Sequence, residues 1–159
     1  MTDDSCAAGV CEIKKLPDET CIRKLRAEVI AINGVAFSFA DIERVVDYFY
    51  RALAADEILK VPFSTVLDWN HHIELMTNFW WIKFGGKLEV RYPYNPIPKH
   101  FQAGFNDELL ARWLGLFYKT LDNTLSVQQR DAWYLISESI GHTLTLKNEL
   151  FKAQLGSSE

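Results

Sequence analysis

The residues that could do chemistry in this chain are a few imidazoles set among aromatic rings. Of four histidines in 159 residues, His71 and His72 are adjacent, within the stretch DWNHHIELMTNFWW (68–81). His100 stands apart, between Lys99 and Phe101 in a segment broken by Pro93, Pro96 and Pro98. A neutral imidazole can ligate a metal or carry a proton near neutral pH. Placed against Trp, Phe and Met side chains, it could instead face a flat apolar guest. Either histidine taken alone fits a hydrogen-bonded core position as readily as a ligand.

Other familiar chemistries lack their residues. Cys6, Cys11 and Cys21 are odd in number, precede the body of the chain and make no C-x-x-C pair, which argues against a disulfide framework or a zinc ribbon. The H-E-x-x-H zinc motif and the paired E-x-x-H motifs of di-iron bundles are both missing. The net charge is −4, with no basic stripe, so neither nucleic acid nor an anionic membrane is an expected partner. The acidic opening MTDDSCAAGVCE carries no secretory signal, and no run approaches a membrane span. A cytoplasmic, monomeric protein is the expectation.

The elements that must position the histidines read as helices. Apolar residues at 48% and charged residues at 24% are ordinary globular usage, while aromatics at 13% are high. Residues 1–21 are small, polar and charged, with Pro17 as a breaker, and read as a flexible extension; 22–159 is the domain. Residues 22–32 could be helical or extended, and the spacing of Ile22, Leu25 and Val29 favours a short helix. Asn33-Gly34 is a turn. A helix follows through SFADIERVVDYFYRALAADEILK, with Ile42, Val45, Val46, Phe49 and Leu53 on one face, Tyr50 at its edge and Pro62 as its end.

Asp68 caps the next helix, on which Trp69, His72, Ile73, Met76, Phe79 and Trp80 form one stripe. That spacing turns His72 inward and leaves His71, about 100° round, in solvent. Gly85-Gly86 stops this helix. A single turn starting near Pro98 could carry His100. Asn106 caps a helix with Leu109, Leu110, Trp113, Leu116, Phe117 and Leu121 inward. Ser126 and Gln129 make a capping box for a last helix with Trp133, Ile136, Ile140 and Leu144 inward. No strand pattern or repeat stands out, and the fold class is all-α.

Two histidines, long apolar helices and aromatic walls together suit haem, whose iron commonly takes an imidazole as axial ligand. A ligand on that iron carries partial charge on its outer atom, which Tyr O–H, Trp Nε1–H or His N–H could meet. Tyr50 and Trp113 are candidates, although each could equally donate to a backbone carbonyl.

The ordered set FYRAL (Phe49-Tyr50), Phe63, WNHH (Trp69 to His72), NFW (Asn78 to Trp80), PKHF (His100) and RWLGLF (Trp113) resembles the truncated, two-on-two haemoglobins, group III above all. The resemblance covers roughly residues 36–150. It implies a globin-like two-on-two helical sandwich around haem b, with His100 as the iron ligand. It also implies Tyr50, His72 and Trp113 around the distal ligand, and Phe63 wedged at the haem. Met76 and Phe79 would form the apolar wall, and Arg91, Tyr92 and Lys99 are further cofactor contacts. The connection from Phe63 to Trp69 is shorter than the family's, and residues 85–97 are rich in proline and aromatic residues. With no C-x-x-C-H motif, the haem would be held without covalent bonds.

Several donors around one ligand slow oxygen release and favour redox chemistry over delivery. The implied function is binding of O2, NO, CO or peroxide, for NO dioxygenase-like or peroxidase-like activity with a reductase as electron donor. The alternative is a non-catalytic haem-based oxygen or redox sensor, or a helical binding module.

Overall fold

Val29–Ile32 (β1) and Val35–Ser38 (β2) form an antiparallel hairpin, with Ile32 opposite Val35 and Val29 opposite Ser38. The computed structural model describes residues 28–88 and 95–156. The helix favoured over 22–32 is therefore a strand from Val29 onward, and 22–27 lie outside the described residues. Two features favour the strand once Val35–Ser38 is there to pair with it: Val29, Ile30, Ile32 and Val35 are β-branched, and Asn33 and Gly34 both take positive φ (51° and 81°). Such an Asn-Gly pair closes a two-residue hairpin whose twist matches that of its strands. Phe37, fully buried, fixes the hairpin to the core against Phe84 and Trp133.

The rest of the described chain is helical: α1 (Phe39–Ala55), α2 (Trp69–Lys83), α3 (Pro96–Gln102), α4 (Asp107–Thr124) and α5 (Val127–Gly156). Helix α1 packs on α2 and α4, α4 packs along α5, and the short α3 lies on α5. Ser38 starts α1 with a reciprocal capping box to Asp41. Its predicted inward residues Ile42, Val45, Val46, Phe49 and Leu53 are all buried, and so is Tyr50.

Helix α1 ends at Ala55, well before Pro62. The Asp56 carboxylate accepts the backbone N–H groups of Ile58 (3.1 Å) and Leu59 (2.9 Å) and so opens a turn in place of another helical turn. Arg112 on α4 holds the same carboxylate with two bonds, 2.8 and 2.9 Å. Asp56 consequently titrates at about 2, below its ordinary 3.8, chiefly through the Arg112 hydrogen bond.

Asp68 caps α2 by accepting the His71 N–H (3.0 Å). The predicted stripe is inward but not all fully buried: Ile73, Met76 and Trp80 are buried, while Trp69, His72 and Phe79 are half-buried. Trp81, which the stripe does not include, is fully buried with Thr77 and Asn78 on a second face. Its indole donates to the Lys87 carbonyl (3.0 Å) and meets Phe39 edge-on. Gly86 permits this, because a Cβ there would lie within 2.2 Å of the indole. The helix closes with Gly86 N–H to Trp81 O and Gly85 N–H to Ile82 O.

Asn106 caps α4 through the Leu109 N–H (2.9 Å), as its position predicts. Ser126 and Gln129 make the predicted reciprocal pair ahead of α5, and Gln129 also donates to the Ala36 carbonyl of the hairpin (2.9 Å). Trp133 is fully buried and Leu144 buried, with Ile136 and Ile140 half-buried against the core. No helix among the described residues is long and apolar enough to cross a membrane.

Candidate functional site

Three aromatic rings, from three parts of the chain, meet around His72. Its imidazole stands edge-on to Tyr50 (centroids 4.8 Å apart), Phe63 (5.9 Å) and Trp69 (5.9 Å). Tyr50 comes from the buried edge of α1, and Trp69 and His72 from the first turn of α2. Phe63 arrives on the turn that Asp56 organises: Leu59 is buried as its anchor, and Lys60 N–H to Asp56 O and Val66 N–H to Phe63 O fix its path. Phe63 then stacks on Trp69 at 6.2 Å and contacts Tyr50 at 6.1 Å.

This apolar setting decides the charge of His72. Desolvation above all, with the charges of Lys99, His71 and His100, pushes its pKa down to about 4 from the ordinary 6.5. The ring is neutral at pH 7. Its Nε2 is buried without a hydrogen-bond partner, an arrangement that costs free energy unless a guest supplies the partner. His71 is exposed, as the helical spacing predicts.

His100 sits on α3, within electrostatic range of His72. The segment is closed at both ends. Asn95 accepts the Ile97 N–H and Pro96 occupies the first turn. At the other end Gly104 takes φ +67°, letting Phe105 N–H reach the His100 carbonyl and Gly104 N–H reach Phe101 O, both at 3.0 Å. His100 Nδ1 donates to the Pro96 carbonyl (2.6 Å), which fixes the tautomer and makes Nε2 the unprotonated nitrogen of the neutral ring. Burial lowers the His100 pKa, against the opposing effect of the Pro96 bond. Phe105 packs edge-on to the ring at 5.1 Å, and the buried Asn148 of α5 donates to the Phe105 carbonyl (3.0 Å).

The other sequence candidates fall at graded distances. Trp113 reaches the cluster through Phe49, which contacts both Trp113 (4.9 Å) and Tyr50 (5.0 Å). Met76 is buried one turn beyond His72, and Phe79 is half-buried against Trp80 (5.4 Å). Lys99 is exposed beside His100. Arg91 and Tyr92 lie outside the described residues, as do the three cysteines.

Trp69 belongs to the apolar stripe by its spacing, and the structure adds it to the site; its i, i+3 spacing to His72 is the signal for that. Asn148 has no such signal, since a polar residue inside a helix reads as surface until its partner, here the Phe105 carbonyl, is known.

Among the described residues no group of three or more His, Cys, Asp or Glu side chains gathers to hold a metal. A metal here would need most of its donors from a cofactor. A groove of about 430 Å³ lies on a different face of α3, lined by Ile97, Phe101, Lys147, Leu150 and Phe151 among others, away from His72 and Tyr50. Compared with protein-family models, curated proteins and solved structures, the chain matches none.

Proposed function

We propose that this protein is a haem protein of the truncated-haemoglobin type, holding one haem b between α2 and α3 in a globin-like two-on-two helical sandwich. One observation carries the reading. Two neutral imidazoles stand on separate helices: His72, whose buried Nε2 has no hydrogen-bond partner among the described residues and lies in an aromatic box, and His100, whose Nδ1 donates to the Pro96 carbonyl so that Nε2 is the unprotonated nitrogen. These residues fit the group: His100 offers Nε2 as axial ligand, its orientation set by the Pro96 carbonyl, and Phe63, Trp69 and Met76 offer the apolar wall.

When bound, haem supplies an iron centre that takes diatomic ligands or peroxide and exchanges electrons. The chain's own residues do the rest. Tyr50 sets its phenol ring edge-on to His72, and Trp113 places an indole one ring further out, behind Phe49. Phe49, Phe63 and Met76 keep water away. Donors in so dry a box favour a ligand with charge on its outer atom. That suits NO and O2 or peroxide chemistry, with a reductase restoring electrons, more than bulk oxygen transport.

The experiment is a titration of the purified protein with haemin, followed by reduction and CO. Uptake at one haem per chain with a ferrous-CO Soret band is expected, and His100→Ala should lose most of the affinity or that band. No stoichiometric uptake ends the reading. Loss in His72→Ala but not in His100→Ala reverses the ligand roles.

A further inference from the structure

We infer that the groove between α3 and the C-terminal part of α5 is a binding site for a small amphipathic carboxylate: a ligand with an apolar body, one anionic end and one N–H or O–H donor. The inference does not rest on the haem reading, because the helical period puts His100 on the far side of α3 from the groove.

The groove encloses about 430 Å³, a size that suits a small molecule. Ile97 and Phe101 supply a wall from α3, and Leu150 and Phe151 supply the other from α5. The two walls are in contact, with the Phe101 and Phe151 rings 5.0 Å apart. Leu150 and Phe151 are nonetheless 57% and 51% exposed. Contiguous apolar surface left open beside a groove marks a place where something binds.

Asn148 says what the occupant must carry. It is the buried member of the lining, 1% exposed. Its amide nitrogen donates to the Phe105 carbonyl (3.0 Å), which fixes the orientation of the amide. Its Oδ1 is left buried with no hydrogen-bond partner among the described residues. Interior acceptors are almost always paired. A plain hydrocarbon chain in the groove would leave this one orphaned, at a cost in free energy. A lone water would meet Oδ1 but would not cover the apolar walls. An apolar ligand with one donor does both.

Charge sets the other end of the ligand. Lys147 lines the groove, and no acidic residue does among the described residues. Lys147 is exposed and makes no ion pair among the described residues, whereas Lys152 is held by Glu149 (2.8 Å). In a chain of net charge −4, an uncompensated lysine beside an apolar groove is a local exception. Its stem can lie along apolar surface while the ammonium stays at the rim, where it meets a carboxylate. Lys147, Asn148, Leu150 and Phe151 fall within little more than one helical turn, so a short piece of α5 carries cation, acceptor and apolar wall together.

The test uses the full chain, with and without haemin, and indole-3-butyrate as the probe: an aromatic body with one N–H and one carboxylate. Binding is read by isothermal titration calorimetry and located by amide NMR shifts. One site per chain is expected, with shifts gathered on α3 and the last turns of α5, whether or not haemin is present. The 1-methylated analogue lacks the donor and should bind about tenfold more weakly, the loss of one hydrogen bond to a buried acceptor. Lys147→Glu should weaken the probe by roughly three- to tenfold, the effect of a rim ion pair lost and reversed, while leaving the uncharged indole-3-butyramide unaffected. Phe151→Asp, at an exposed position, should abolish binding with the helical circular dichroism unchanged. No uptake of millimolar probe, equal affinity for the methylated analogue, or binding that survives Phe151→Asp would each overturn the inference. Shifts gathered around His72 would also overturn it, by placing the probe in the aromatic box.

Discussion

His72 meets Tyr50 edge-on, with ring centroids 4.8 Å apart and planes at 82°, so a neutral imidazole from α2 and a phenol from α1 share one apolar box. Trp113 stands one ring further away, behind Phe49. That order ranks the donors a bound ligand would meet.

In the haem-loaded protein, Tyr50→Phe should speed oxygen dissociation by roughly 10- to 150-fold, the equivalent of one hydrogen bond to a partly charged acceptor. Trp113→Phe should act in the same direction but less, because it lies beyond Phe49. The double variant should fall short of the product, since both donors serve one ligand atom. CO dissociation should change far less in each. Stopped-flow oxygen release decides the matter: off-rates within twofold of wild type for both single variants would remove the polar cage from the proposal.

Without haem, stability should depend on pH through His72. Its native pKa of about 4 lies below the ordinary 6.5, so between these values the unfolded chain takes up a proton that the native ring refuses. Stability is therefore fully present above pH 6.5 and declines as pH falls toward 4. His72→Phe should flatten that part of a urea-melt series, with the shift of His100 in the same direction leaving a remainder. An unchanged slope in the variant would show that His72 is not a source of it.

The frame around His100 should be separable from its chemistry. Gly104→Ala forces a side chain into φ +67° with no atom in the way, a cost of about 1–2 kcal/mol. Asn148→Ala removes the donor to the Phe105 carbonyl, a loss of about 1 kcal/mol. Both should lower the thermal midpoint and speed transfer of haem to a scavenging globin while leaving the ferrous-CO band shape intact. Normal haem retention in both variants would detach this frame from the site.

Asp56 should act on the box from a distance. Asp56→Ala removes the acceptor that opens the Phe63 turn and should cost about 1 kcal/mol, as for a lost helix cap. Asp56→Asn keeps an oxygen for the turn and should cost less. The wild-type carboxylate adds stability that is full above pH 3.8 and lost toward pH 2, an acid window separate from that of His72. Equal melting curves for both variants would show that the turn does not need this side chain.

Much of the scaffold was legible in the chain alone. Caps at Asp68, Asn106 and Ser126 and the inward faces of α1, α2 and α4 follow from local rules, because a capping oxygen and a 3.6-residue period act within one or two turns. The same period turned His72 inward and His71 outward. Where local signals were balanced, partners elsewhere decided. Val29–Ile32 became a strand because the Asn33-Gly34 turn delivered Val35–Ser38 as its mate, and α1 stopped at Ala55 where Arg112, fifty-six residues on, holds Asp56.

The sequence set the types of the site residues: two histidines, a tyrosine at an apolar edge, and tryptophans at helical spacing. Only the tertiary structure decided their company. Phe63 and Trp69 closed on His72, Trp113 was set behind Phe49, and the Asn148 amide was spent on the Phe105 carbonyl. The physical reason is range. Helix propensity and capping are settled by near neighbours, whereas desolvation of an imidazole, the satisfaction of its nitrogens and the order of rings around it depend on residues brought together by packing.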